Sequence, residues 1–280
     1  MILIADSGAT KTSWAAICGD DVLRFSGEGC NPNFTDAGEM VRSIGGSIPE
    51  KVRREEVSEI HFYCAGIGKG NSGAVTGALG KVFPAASIWC GSDLLGAARA
   101  LLGHNAGFAA ILGTGANTCI YDGTGISQHV DCMGFILGDE GSGAYIGKRL
   151  ICDYLRGNMP ENVRIAAGKA IGLDRDGIIE RIYRLPHPNR FCASLCRFVG
   201  ENIGGDPYFS NLVKDSFRAF FNGMVCRYGG WRSMELNCTG SVAYVFRGQL
   251  AAVAGEFGMK TGIIEKEPLD GLISYHRTTK

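Results

Sequence analysis

The feature that most constrains the fold is a polar turn between two apolar runs at the start of the chain. Residues 2–5 are apolar, Asp6 follows them, and a second apolar run begins after the turn Ser7-Gly8-Ala9-Thr10-Lys11-Thr12. This pattern predicts a β-hairpin with a carboxylate at the end of its first strand. A nucleotide phosphate binds where backbone N–H groups, hydroxyls and a cation meet, and a nearby carboxylate can hold Mg²⁺ through water. The other interpretation is an ordinary polar hairpin turn.

A weaker copy of this hairpin lies in the second third of the chain. Residues 108–112 are apolar, residues 113–118 read GTGANT, and residues 119–121 resume as a strand. Gly8-Ala9-Thr10 in the first turn matches Gly115-Ala116-Asn117 in the second. Two such hairpins indicate an internal duplication, and we expect each half to supply one side of a nucleotide cleft.

The overall composition excludes several classes of protein. Lys+Arg and Asp+Glu both number 28, so no net charge favours nucleic acid or an anionic membrane surface. No apolar run reaches the roughly 20 residues of a membrane span. Eleven cysteines without a secretory start favour a reducing cytoplasm, and without a C-x-x-C pair they do not predict a zinc site.

The order of elements predicts an α/β protein with two domains. Strands alternate with crossover helices, and 280 residues suffice for two domains of ordinary size. A boundary near Ala106 gives an N-terminal domain over residues 1–106 and a C-terminal domain over residues 107–280. The last helix has the option of returning to the N-terminal domain.

Asp93 ends one predicted strand and directly precedes a helix. Ligands of open α/β sheets collect at the carboxyl ends of strands, where a carboxylate can accept the proton of an attacking hydroxyl. The alternative role of Asp93 is the N-cap of that helix. Asp93 also falls 20 residues beyond Gly73, the last glycine of a G-x-G-x-x-G motif over residues 68–73. We interpret that motif as a loop bordering a cleft, with a dinucleotide site as the alternative.

Two further polar segments contain candidate ligand-binding residues. Asp139 and Glu140 are flanked by glycines, which suits hydrogen bonds to sugar hydroxyls or help in positioning a metal, while a helix-capping segment is the alternative. Asn31 and Asn33 surround Pro32 and offer amides that recognise hydroxyl and acetamido groups. The Asn-Pro pair is equally a turn signal.

Several of these motifs together resemble the sugar kinase, heat-shock protein and actin superfamily. The segments DSGATKT (residues 6–12), LGTGAN (112–117) and NCTGSVA (237–243) look like its two phosphate motifs and its adenosine motif. NPN (31–33), Ser92-Asp93 and GDEGS (138–142) narrow the resemblance to the N-acetylglucosamine kinase branch. That branch is grouped with the activator-type ATPases of benzoyl-CoA reductase systems. The resemblance spans nearly the whole chain, with the motifs in the expected order.

The resemblance implies two actin-like domains with Mg-ATP and a sugar between them. It implies transfer of the ATP γ-phosphoryl group to a hydroxyl, expected to be the 6-hydroxyl, of N-acetylglucosamine or a related N-acetylhexosamine. Asp6 would hold Mg²⁺ through water, and Asp93 would be the general base. The small-molecule amino sugar is the expected partner, and a homodimer is left open. The resemblance assigns ATP contacts to Gly8, Thr10, Lys11, Thr114, Gly115, Gly240 and Ser241, and sugar contacts to Asn31, Asp93, Asp139 and Glu140.

The same resemblance leaves two other functions open. Activator-type ATPases hold an iron–sulfur cluster between subunits through paired cysteines, and Cys132 and Cys152 are the nearest candidates here, in surroundings unlike a cluster loop. A non-catalytic sensor of the same fold would bind ATP and sugar without transferring phosphate.

Overall fold

The chain forms two compact units, each built around one five-stranded sheet. The first unit comprises Met1–Asn105, Gly123–Gly125 and the chain from Pro268 onward, and the second comprises Ala106–Asp122 and Ile126–Glu267. The computed structural model describes residues 1–8, 10–32, 35–67 and 72–278.

Both sheets have the same pattern of two antiparallel and two parallel strand pairings. In the first sheet the strand order is β3-β2-β1-β4-β5, and in the second it is β8-β7-β6-β9-β10. The first three strands of each order pair antiparallel, and the last two run parallel to the central strand β1 or β6. The strands are β1 Ile2–Ser7, β2 Lys11–Cys18, β3 Asp21–Glu28, β4 Glu59–Cys64, β5 Ser87–Ser92, β6 Gly107–Leu112, β7 Ala116–Tyr121, β8 Ile126–Val130, β9 Glu235–Thr239 and β10 Lys260–Glu265.

This shared topology is what an internal duplication predicts, and the predicted α/β class with a central mixed sheet in each half is confirmed. Helices cover the sheets. They are α1 Ala37–Ser47, α2 Ser72–Val82, α3 Asp93–Leu102, α4 Gly134–Leu137, α5 Gly143–Arg156, α6 Glu161–Ile171, α7 Arg175–Tyr183, α8 Pro188–Ser194, α9 Cys196–Glu201, α10 Pro207–Gly223, α11 Ser241–Val245, α12 Arg247–Phe257 and α13 Leu269–Thr278.

Alternating side chains of the first sheet face two different helical layers. Leu3 and Ala5 lie in one core with buried residues of α1 and α2. Ile4, between them, lies in a second core with buried residues of α13. This alternation follows from the two-residue repeat of a strand, and it explains why β1 is apolar on both faces. In the second unit, α10 buries Phe217, Phe220 and Phe221 in a single large core.

The sequence patterns miss three strands, and all three lie at sheet edges. β3, β8 and β10 each have only one neighbour in their sheet and contain mainly exposed or half-buried residues. An edge strand with polar side chains carries no apolar run, so the usual signal is absent. Near the end of the second unit, α11 and α12 are separate helices that meet at Phe246.

Within the described ranges, every helix is too short or too polar to cross a lipid bilayer.

Candidate active site

The carboxyl ends of three parallel strands bring several predicted site residues to one edge of the first sheet. Ser7 at the end of β1 pairs with Cys64 at the end of β4, which in turn pairs with Ser92 at the end of β5. Asp6 and Asp93 are the immediate neighbours of the first and last of these residues. The sheet edge therefore gathers both carboxylates, as the rule for open α/β sheets predicts.

The turn between β1 and β2 presents polar side chains at that edge. The Gly8 N–H donates to the Lys11 carbonyl at 2.9 Å and closes the turn. The side chains of Thr10 and Lys11 are exposed, and Asp6 is half-buried at the adjacent strand end. Ala9 lies outside the described residues. A hydroxyl, an ammonium group and a carboxylate thus accompany the backbone of one short turn.

The loop that carries Asn31 lies directly against this turn. A Cβ atom placed on Gly29 would come within 2.5 Å of the Gly8 carbonyl oxygen and 2.7 Å of the Thr10 nitrogen, so only glycine fits there. The next residue, Cys30, is buried, and its N–H donates to the Ser7 hydroxyl at 2.9 Å. Asn31 is half-buried at the same edge. Asn33 lies outside the described residues, as do four residues of the glycine motif, 68–71.

Asp93 is the first residue of α3, and the N-cap role that the sequence left open for it belongs to Ser92. The Ser92 hydroxyl accepts from the Leu95 N–H at 3.2 Å. Asp93 Oδ1 accepts from the Leu94 N–H at 2.8 Å. Burial raises the pKa of Asp93, and the Leu94 N–H offsets part of that rise. A carboxylate with a raised pKa is a stronger base, which suits proton acceptance from a hydroxyl.

In the second unit, the turn between β6 and β7 is held by the start of α5. The N–H groups of Gly143 and Ala144 donate to the carbonyls of Gly113 and Thr114 at 2.8 and 3.1 Å. These bonds direct the carbonyls of the turn toward α5. Throughout the described part of the chain, no acceptor is found for the N–H groups of Thr114 and Gly115. Adjacent N–H groups of this kind suit an anionic oxygen.

Asp139 lies against the same turn, in the second unit, whereas Asn31 and Asp93 belong to the first. Its Oδ1 accepts from the Ala116 N–H at 3.1 Å, and a Cβ atom on Gly115 would lie 3.2 Å from both carboxylate oxygens. Asp139 adopts a positive φ of 57°, and burial raises its pKa. The half-buried Glu140 is directed elsewhere, toward Gly223 at the end of α10.

The junction between β9 and α11 runs beside the β6–β7 turn. Gly240 has a φ of +121°, and a Cβ atom on it would lie 2.3 Å from the Leu112 carbonyl oxygen. Both observations require glycine at this position. Ser241 begins α11 and is exposed. The second unit therefore brings together Thr114, Gly115, Asp139, Gly240 and Ser241.

The sequence placed Ser7 and Thr12 in the polar tip of the first hairpin, but both are buried. Ser7 is 0% exposed and Thr12 is 2% exposed, and their hydroxyl oxygens lie 2.7 Å apart. Ser7 and Thr12 pair across the hairpin, so their side chains lie on the same face of the sheet. Only this pairing could have indicated from the sequence that both side chains are buried.

Each unit, considered by itself, presents groups whose chemistry suits part of ATP with Mg²⁺. The N–H groups of Thr114 and Gly115 and the exposed Lys11 suit phosphate oxygens, and the Asp6 carboxylate supplies the hard oxygen that Mg²⁺ prefers. Among the described residues, no group of three or more His, Cys, Asp or Glu side chains is arranged around a metal position. A carboxylate that acts through water needs no such group. All eleven cysteines are free thiols.

Comparison with family models and with curated protein sequences finds no match to this chain. Comparison with solved structures finds a putative N-acetylglucosamine kinase from Porphyromonas gingivalis, with 38% identity, a TM-score of 0.94 and coverage of 99% of both chains. A putative N-acetylglucosamine kinase from Chromobacterium violaceum matches at 16% identity and a TM-score of 0.74, over 98% of both chains.

A more distant likeness confirms the fold. A ROK family glucokinase from Streptomyces griseus, solved with glucose and AMPPNP, matches at 14% identity and a TM-score of 0.57, over 99% of this chain and 98% of its own. Together with the two five-stranded sheets, this likeness confirms the predicted fold of two actin-like domains.

Proposed function

This chain belongs to the family of N-acetylglucosamine kinase-like proteins, and from that premise we propose that it phosphorylates an amino sugar with ATP. The γ-phosphoryl group would pass to the 6-hydroxyl of N-acetylglucosamine or a related N-acetylhexosamine. The observation that carries the proposal is the 38% identity to the Porphyromonas gingivalis protein over 99% of both chains. The placement of Asp6, Asn31 and Asp93 at one sheet edge supports it.

The nucleotide would be bound mainly through backbone groups. The N–H groups of Thr114 and Gly115 would hold phosphate oxygens, because no protein acceptor in the described residues uses them. Thr10 and Lys11 would add a hydroxyl and a positive charge, next to the backbone of Gly8. The adenosine would contact Gly240 and Ser241 at the junction between β9 and α11.

Asp6 would hold Mg²⁺ through water. When bound, the ion neutralises charge that develops on the transferred phosphoryl group. The protein contributes to this step by holding the half-buried Asp6 carboxylate in place at the end of strand β1. Positioning of this kind accounts for much of catalysis in phosphoryl transfer, since little covalent chemistry falls to the protein.

Asp93 would accept the proton of the sugar hydroxyl. Its place at the start of α3 is fixed by the Leu94 N–H, and its raised pKa strengthens it as a base. Asn31 would orient the sugar from the adjoining loop. We also propose sugar contacts for Asp139 and Glu140, the two carboxylates that the family resemblance assigns to the sugar.

The test is a kinase assay with ATP, Mg²⁺ and a panel of glucose, N-acetylglucosamine and N-acetylmuramic acid. Asp93→Asn should lower kcat on the order of 10²–10⁴-fold while leaving the affinity for ATP largely intact. Asp176→Asn is the matched control, because this carboxylate is 90% exposed on α7. Full activity of Asp93→Asn would remove Asp93 as the base. Binding of sugar and ATP without turnover in the native protein would instead indicate a sensor.

A further inference from the structure

A buried chain of hydrogen bonds lies behind the β1–β2 turn, and we call it the Ser7 relay. Its members are Ser7, Thr12, Cys30 and Cys64, each at most 2% exposed. They come from four places in the sequence: the end of β1, the start of β2, the loop after β3 and the end of β4. None of the four is among the residues predicted to touch ATP or sugar.

The direction of each bond in the Ser7 relay follows from counting protons. Thr12 has one hydroxyl proton, which it donates to the Glu28 carbonyl at 2.7 Å. In the 2.7 Å bond between Ser7 and Thr12, Ser7 must therefore be the donor. The Ser7 oxygen then accepts from the Cys30 N–H at 2.9 Å. The Cys30 carbonyl accepts from the Cys64 thiol at 2.8 Å.

The Ser7 and Thr12 hydroxyls and the Cys30 N–H each donate to an acceptor within these elements, so these buried polar groups satisfy one another. A thiol can donate only while it is protonated. The adjacent Cys30 thiol, together with burial, raises the pKa of Cys64, so Cys64 keeps its proton at neutral pH. The Cys30 carbonyl also lies 3.1 Å from the Ser7 oxygen, which gives Ser7 a second acceptor if Thr12 is lost.

Within the Ser7 relay, Ser7 is the residue that joins the loop to the hairpin. Its hydroxyl oxygen accepts a hydrogen bond from the backbone N–H of Cys30, the neighbour of Asn31. The hairpin itself has independent support, because β1 and β2 pair over six residues and the Gly8–Lys11 bond closes the turn. Loss of the Ser7 hydroxyl should therefore loosen the loop at Cys30, which keeps its bond to the Cys64 thiol, and leave the hairpin in place.

We propose that Ser7 is a positioning residue for the sugar: its hydroxyl fixes the Asn31 loop against the phosphate-binding hairpin. This inference rests on the proposed function for the roles of Asn31 and the hairpin. It makes the sugar site depend on a residue that touches neither substrate. It also predicts an asymmetry, since a loosened loop impairs sugar binding while the nucleotide contacts of the hairpin persist.

Three variants test the inference in the full-length protein. Ser7→Ala leaves the Cys30 N–H without an acceptor and should lower kcat/KM for the sugar about 10–100-fold, with the KM for ATP changed by less than about threefold. Thr12→Val should have a smaller effect, because the Ser7 proton can turn to the Cys30 carbonyl. Thr12→Ser keeps the hydroxyl and should behave like the native protein. An equal loss for both substrates in folded Ser7→Ala would overturn the positioning role.

Hydrogen exchange provides a readout that does not depend on catalysis. In Ser7→Ala, amides of residues 29–31 should exchange at least about tenfold faster, while amides of β1 and β2 keep their protection. The matched control is Ser216→Ala, which removes an equally buried hydroxyl that donates to the Leu212 carbonyl within α10. This control should leave exchange of the loop unchanged. Unchanged loop exchange in Ser7→Ala would overturn the inference, whereas an inactive native protein with the expected exchange would overturn only the kinase proposal.

Discussion

Replacing Gly29 by alanine should separate the Asn31 loop from the β1–β2 turn. The new Cβ atom would lie 2.5 Å from the Gly8 carbonyl oxygen and 2.8 Å from the Lys11 nitrogen. Real Cβ atoms essentially never come within 3.0 Å of another heavy atom, and both of these neighbours are backbone. The loop must therefore move by about 0.5 Å or more, and overpacking of this kind costs about 1–3 kcal/mol.

Thermal unfolding and the kinase assay together measure this effect. A loss of 1 kcal/mol corresponds to a fall in Tm of about 2–4 °C for a domain of 150–250 residues, and about 4–8 °C for a smaller one. The same displacement should reduce kcat/KM for the sugar, because Asn31 moves with the loop. Gly46→Ala is the matched control, since a Cβ atom there meets nothing within 4 Å and alanine favours helix α1. A Gly29→Ala protein with native Tm and native activity would refute the proposed close packing of loop and turn.

Two further substitutions test other parts of the structure. Gly240→Ala places a Cβ atom 2.3 Å from the Leu112 carbonyl oxygen, at a φ of +121°. We therefore expect a lower Tm and weaker binding of an ATP analogue, measured by calorimetry. An unchanged affinity for the analogue would contradict the adenosine assignment. Burial, with His61 and Arg99 nearby, lowers the pKa of His276 to about 3. Between about pH 6.5 and pH 3 this imidazole is therefore protonated in the unfolded chain and neutral in the folded chain. The free energy of unfolding should therefore fall with pH from about 6.5 toward 3, by at most about 1.4 kcal/mol per pH unit from this group. His276→Phe should flatten that slope in urea unfolding, and an unaltered slope would exclude His276 as its source.

The central strands could be predicted from the sequence because burial on both faces leaves continuous apolar runs. β1 and β6 are examples, and the polar turns that follow them were recognisable for the same reason. The edge strands β3, β8 and β10 could not be found in this way, since exposed strands keep polar residues. Their pairing is decided by neighbours that are distant in the sequence.

The positions of some polar residues of the candidate site could also be predicted from the sequence, whereas those of others could not. The placement of Asp6 and Asp93 at one sheet edge was predictable because each stands at the end of a predicted strand, and parallel strands end at a common edge. The burial of Ser7 was not predictable, because a serine beside a glycine turn looks like a surface residue. Its partners Cys30 and Cys64 belong to other elements, and only the tertiary fold brings them together.

The most direct test of the kinase proposal is the fate of the ATP γ-phosphate. The native protein is incubated with Mg²⁺, N-acetylglucosamine and ATP labelled in that phosphate, and the sugar product is identified by mass spectrometry and nuclear magnetic resonance. We predict label on the 6-hydroxyl of the sugar, in an amount equal to the ADP formed, and almost none with Asp93→Asn. ADP formation without labelled sugar would contradict the proposal and favour an ATPase of the same fold.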